Sequence, residues 1–181
     1  MYGRRRELLA LLPKHGIGME IGVWQGKFSR QILRFAKPEK LYLVDPWIIQ
    51  DDPVHKTSWY GDAEKVDMDR VYEGVTERLA NQIAEGTVVV IRKRSVDALP
   101  TFPDDHFDFI YIDGDHEYSA ARSDCFLAFS KVKPGGLICG DDYAIRGFYG
   151  DGVVRAFHEL IAAGNVILRY VGNMQIVLQK L

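Results

Sequence analysis

The sequence predicts an α/β fold: a mostly parallel seven-stranded sheet, helices on both faces, and an antiparallel C-terminal hairpin strand. Three observations carry this. Apolar runs of strand length alternate with helical patterns along the chain. Two of those runs, Asp108 to Asp113 and Leu137 to Asp141, read as strands buried on both faces that end abruptly in carboxylates. Finally, Val166 to Tyr170 and Gln175 to Gln179 flank Gly172-Asn173, a hairpin signal. A hairpin sets the last strand antiparallel to its neighbour, which an all-parallel nucleotide-binding sheet does not contain.

The elements follow in order. Arg4 to Leu12 is a short helix stopped by Pro13, and Ile17 to Val23 is the first strand. Gly26 opens a helix through Phe35 with Phe28, Ile32 and Phe35 on one face. Lys40 to Asp45 is a second buried strand, and Pro46 to Tyr60, aromatic and aperiodic, is a loop. A loop of that length in a compact domain is usually functional. Helix resumes from Asp62 to Ala84 and stops at Gly86. Thr87 to Lys93 is the third strand, a short helix or turn spans Ser95 to Leu99, and Phe107 to Asp113 is the fourth strand. Tyr118 to Val132 is helical, Pro134-Gly135-Gly136 turns, Leu137 to Gly140 is the fifth strand, and Val153 to Ala163 is the last helix.

With 181 residues, 47% of them hydrophobic, the chain suits one domain with a full core. A net charge of -2 gives no basic footprint for nucleic acid. Arg4-Arg5-Arg6 and Arg92-Lys93-Arg94 read as solvated ends of elements. No signal peptide is expected, and no run reaches the roughly 18 apolar residues of a membrane span. Cys125 and Cys139 read as small core residues, which fits a reducing cytoplasmic location.

The chemistry gathers where strands end. In an open parallel sheet those ends form one rim, the usual place for a ligand. The first strand ends Glu20-Ile-Gly22 and the turn runs on to Gly26, without the G-x-G-x-x-G of a dinucleotide site. Glu20 repels a pyrophosphate but accepts an ammonium or a sugar hydroxyl; a plain glycine-lubricated turn is the alternative. Asp45 ends the second strand, placed to take both hydroxyls of a ribose or to serve as a loop acid. Ser95 can face an adenine edge or cap the next turn. Asp113 and Asp141, on strands about 4.8 Å apart, can converge to roughly 5 Å. At an effective dielectric near 20 that like-charge pair costs about 3 kcal/mol. A divalent cation, a shared proton or rotation into water would each offset it. His116, three residues past Asp113, suits a general base or a solvent-facing helix start.

Together these residues resemble the class I methyltransferases that use S-adenosylmethionine. The likeness is to the small-molecule branch that includes macrolide-sugar O-methyltransferases and the cephalosporin hydroxylase-like family. It rests on Tyr111-Ile-Asp-Gly-Asp-His-Glu-Tyr118, Lys133-Pro-Gly-Gly136 and Gly140-Asp-Asp-Tyr143, with support from Leu43-Val-Asp-Pro-Trp47 and Gly152-Val-Val-Arg-Ala-Phe157. The resemblance implies a Rossmann-like three-layer sandwich and one methyltransferase domain over 1–181. It also implies Glu20, Gly22 and Gly26 beside the methionine part of the cofactor, Asp45 on its ribose and Ser95 near its adenine. In metal-dependent relatives, including catechol O-methyltransferase, the acids after strands four and five hold magnesium; Asp113, Asp141 and Asp142 match those positions. His116 falls where catechol O-methyltransferase has a basic lysine, so His116 and Asp113 form the expected catalytic pair. The chain reaches its first strand early, which leaves residues 46–60, the Tyr143 to Asp151 loop or a second subunit of a homo-oligomer to cover the acceptor. The expected function is O-methylation of a small hydroxylated acceptor such as a sugar or natural-product intermediate, magnesium-assisted. A nicotinamide-dependent oxidoreductase and a non-catalytic cofactor-binding subunit are the alternatives.

Overall fold

The computed structural model describes residues 5–49, 66–145 and 150–181. Seven strands form one sheet: β1 (Ile17–Ile21), β2 (Lys40–Val44), β3 (Val88–Ile91), β4 (Phe107–Ile112), β5 (Val132–Gly140), β6 (Val166–Gly172) and β7 (Gln175–Lys180). Their order is β3-β2-β1-β4-β5-β7-β6. The hairpin partner β7 inserts between β5 and β6 and runs antiparallel to both, while β1 to β5 pair in parallel.

Helices cover both faces. On one side α1 (Arg6–Leu11), α2 (Lys27–Phe35) and α3 (Met68–Arg78) contribute Leu8, Leu9, Phe28, Ile32 and Val75, packed with Leu41, Leu43, Phe109 and Tyr111 of the sheet. On the other, α5 (Ser95–Ala98), α6 (Tyr118–Lys131) and α7 (Gly152–Ala162) contribute Ala98, Cys125, Ala128, Ala156 and Phe157, packed with Met19, Ile110, Ile112 and Ile138. Strand residues alternate between these two cores because their side chains point alternately to opposite faces. The short α4 (Ala80–Ala84) leads into β3. No helix among the described residues is long and apolar enough to cross a membrane.

Several local expectations are corrected. The helix read as continuous to Ala84 breaks at Leu79, whose backbone leaves the helical region (φ -109°, ψ 14°). Phe35 is exposed, because the buried stripe of α2 runs from Phe28 through Ile32 to Ala36 just beyond the helix, and Phe35 falls beside it. Lys133 to Gly136 belong to β5, with the irregularity absorbed as a register shift against β4. The hairpin turns at Asn173-Met174, both with positive φ, one residue later than the Gly-Asn signal suggests; two such residues fit a two-residue loop that follows the strand twist. Of the expected lid, residues 50–60 lie outside the described residues.

Register positions the site. Ile21 pairs with Val44 and with Ile112, and Ile112 pairs with Gly140. The next residue on each strand, Gly22, Asp45, Asp113 and Asp141, therefore stands in one row along the C-terminal rim.

Candidate active site at the carboxyl ends of the strands

At the end of β1, Glu20 is buried, and its Oε2 has no hydrogen-bond partner among the described residues. Burial pushes its carboxyl up to about 8, against the pull of Ser29 and the charge of Arg5. An acid so placed lacks a donor, and an ammonium group supplies one. The turn beyond it brings two strands into close approach. Gly22 has φ +82°, and a Cβ there would stand 1.9 Å from the Asp113 carbonyl oxygen. Gly26, also left-handed, precedes α2.

Asp45 binds the same turn. Its Oδ2 accepts from the Val23 and Trp24 amides, each at 2.9 Å, and its Oδ1 accepts from the Trp47 amide at 2.7 Å. Burial raises its pKa while these amides pull it down. A carboxylate has about four lone-pair sites, and three are taken by these amides. Trp47, expected to help form a lid, is a core residue: it is 1% exposed, and its Nε1 donates to the Trp24 carbonyl at 3.0 Å. Its indole staples the start of the loop to the β1 turn.

Ser95 is the first residue of α5, with Arg94 in the capping position. Its side chain faces the buried Asp124 of α6 and pulls that carboxyl down. Burial raises the Asp124 carboxyl to about 6. Asp124 shares the apolar stripe of Ala121, Cys125 and Ala128, and an acid on such a stripe is the sequence signal that marks it.

The acids after β4 and β5 divide into two groups. Asp113, His116 and Asp142 each offer one ligand atom, all within 4.8 Å of one another. His116 Nε2 lies 3.1 Å from Asp142 Oδ2 and 3.8 Å from Asp113 Oδ1. Burial pulls the His116 pKa down, but the close contact with Asp142 and the charges of Asp113, Asp142 and Asp115 outweigh it and leave it raised. Burial also lifts Asp113 to about 6 against the charges of Arg5 and His116. Asp141, expected as the third metal ligand, is committed elsewhere. Its Oδ1 accepts from the Asp142 amide and from Gln175 Nε2, and its Oδ2 accepts from Arg5. In this conformation His116 stands in the cluster where Asp141 was expected. Asp115 accepts from the Glu117 amide at 2.9 Å, at the start of α6.

Two further residues complete the rim. Arg5, read from sequence as solvated, places its guanidinium between Asp113 Oδ2, at 2.9 Å, and Asp141 Oδ2. It also lies over the Phe28 ring at 4.5 Å. No local pattern announces this, because the contacts span more than 100 residues. Gln175 is fully buried at the start of β7, between Tyr111 and Asp141.

A family model described as a methyltransferase domain matches residues 19–143, which hold most of these positions. No curated protein matches. Among solved structures, a proposed methyltransferase from Streptococcus mutans in complex with SAH is similar over 100% of both chains, with 15% identity and TM-score 0.63. A proposed caffeoyl-CoA O-methyltransferase from Staphylococcus aureus aligns over 91% of this chain and 76% of its own, with 15% identity and TM-score 0.65. An O-methyltransferase family protein from Burkholderia thailandensis aligns over 99% of this chain and 55% of its own, with 14% identity and TM-score 0.61. At such identities the likeness shows the fold, and the family model carries the rest. The chain belongs to the methyltransferase domain family, as a class I S-adenosylmethionine-dependent methyltransferase.

Proposed function

We propose that the chain methylates a hydroxyl oxygen of a small acceptor, such as a sugar or natural-product intermediate, with help from a divalent cation such as magnesium. The observation that carries this reading is the convergence of Asp113, His116 and Asp142 beside the Gly22 turn. S-adenosylmethionine, when bound, supplies a methyl group on a sulfonium. The Glu20 carboxyl, with its Oε2 lacking a hydrogen-bond partner among the described residues, is suited to its ammonium, Gly22 and Gly26 let the backbone approach its methionine part, Asp45 takes a ribose hydroxyl and Ser95 borders its adenine.

Asp113 and Asp142 with His116 would hold the cation, and the chemistry it supplies is a lower pKa for the acceptor hydroxyl. Two carboxylates and an imidazole are a suitable donor set for a divalent ion. The protein's own contribution is alignment of acceptor oxygen and methyl group with water kept out. When His116 is not a ligand, its imidazole takes the hydroxyl proton; the neighbouring carboxylates that raise its pKa also strengthen it as a base. The two buried unpaired cysteines support a reducing, cytoplasmic setting. The test is incubation with methyl-labelled S-adenosylmethionine and a panel of sugars, phenols and amines. Labelled methyl ethers with matching S-adenosylhomocysteine release are expected, whereas label only on nitrogen or carbon would overturn the O-methyl assignment.

A further inference from the structure

Arg5 is held in place from behind. Helix α1 buries Leu8 and Leu9, and Leu12 just beyond it is buried with them, in the core that contains Phe28 and Tyr111. Arg5 precedes that helix, with φ -111° and ψ 9°. Its guanidinium reaches over Phe28, within 5.4 Å of Tyr111, to the two rim acids. A guanidinium keeps its charge at any ordinary pH and forms a planar fork suited to carboxylates. It is therefore a permanent cation seated where two carboxylates from adjacent strands meet.

The oxygens show what it controls. Asp141 has Oδ1 engaged by Gln175 and the Asp142 amide, so Oδ2 is its remaining oxygen, and Arg5 takes it. Asp113 gives Oδ2 to Arg5 and turns Oδ1 toward His116. Yet the Arg5 side chain is 25% exposed and outside the helix, so it can swing out without disturbing the core under α1.

We propose that Arg5 is an internal counter-ion that competes with a divalent cation for the rim. In the cation-free chain it neutralises Asp113 and Asp141; cation binding at Asp113, His116 and Asp142 displaces it and frees Asp141 Oδ2 as a further ligand. This rests on the divalent-cation reading given above. Release of the Arg5 side chain then sets how readily the site loads.

Manganese uptake by the cofactor-free full chain, followed by the loss of the free-ion electron paramagnetic signal, tests this. Arg5→Gln is expected to bind at least tenfold more tightly than the unaltered chain, with Arg5→Lys in between. Arg6→Gln, which removes an exposed charge one residue away, is expected to change affinity less than twofold. Equal or weaker binding by Arg5→Gln overturns the competition. No uptake by either chain overturns the cation reading and the competition with it, a pattern distinct from equal uptake. Should Arg5→Gln not fold, nitrogen-15 spectra of arginine side chains in the unaltered chain decide. Magnesium is expected to move the Arg5 Nε resonance to the free-arginine position; a fixed Arg5 signal while the His116 ring signals shift overturns the proposal.

Discussion

The two ends of the sheet treat charge in opposite ways. At the amino ends of the strands three acids each have their own cation: Asp104 with Lys131 at 2.6 Å, Asp105 with Lys180 at 2.7 Å and Asp108 with Lys133 at 2.8 Å. Asp108 also accepts from the Ile17 amide. At the carboxyl ends, Glu20, Asp113, Asp141 and Asp142 crowd together with Arg5 and His116 as counter-charges. Burial raises Glu20 and Asp113 well above ordinary values. Matched pairs at a surface hold structure at little cost and little gain, whereas a surplus of buried acids is held by the fold against its own electrostatics. The amino end also has a cleft, bounded by Leu11, Pro13, Lys133 and Arg169, but its acid is already satisfied. By this contrast the unspent charge, not the cleft, marks the candidate site.

The largest expected effect falls on the surplus end. Asp142→Asn should lower methyl transfer by about 10²- to 10⁴-fold, the range of a lost acid-base or metal-positioning group, while S-adenosylhomocysteine affinity by calorimetry stays within about threefold. The equivalent change at the paired end, Asp108→Asn, should leave turnover within about twofold. Equal losses from both would erase the distinction between the ends. Excess chelator should likewise stop turnover and magnesium restore it, and full activity in chelator would remove the metal.

Asp45→Ala comes next. It should weaken cofactor binding by roughly 1.5 to 3 kcal/mol, the scale of a charge-assisted hydrogen bond. It should also lower the melting temperature, since three amides lose their acceptor. Affinity that holds while stability drops would make Asp45 a clamp for the turn alone.

Acidity gives a third contrast. Folded Glu20 keeps its proton up to about 8 against an ordinary 4.5, and Asp113 up to about 6 against 3.8. Between those values the folded chain holds more protons than the unfolded one, so stability falls as pH rises through the window. The raised His116 acts in the same direction: what it adds is present below 6.5 and is lost as pH climbs through its folded value. Melting temperature should therefore decline from pH 5 to 8.5, and Glu20→Gln should flatten the decline; an unchanged slope would locate the effect elsewhere.

The smallest change is Lys133→Ala. The part-exposed pair with Asp108 is worth about 0 to 1 kcal/mol, so melts should shift by about 4 °C at most. A large shift would show the amino end to be under strain as well.

Read alone, the residues determine a good deal. Strand and helix alternation, the terminal hairpin, the glycines of the β1 turn and the carboxylates at four strand ends are local patterns, since backbone geometry and side-chain alternation act over a few residues. Those patterns suffice for the α/β class and for a row of acids along one rim. Only the tertiary structure decides how the acids are shared. Asp141 turns to Gln175 and Arg5 because β7 inserts beside β5 and α1 packs beside Phe28. His116 meets Asp142 because the β4 and β5 loops emerge side by side. Trp47 is core rather than lid because the β1 turn offers it a carbonyl. Each of these partners lies 23 or more residues away in sequence, and contacts at such separations are set by strand order and register, which no local period encodes.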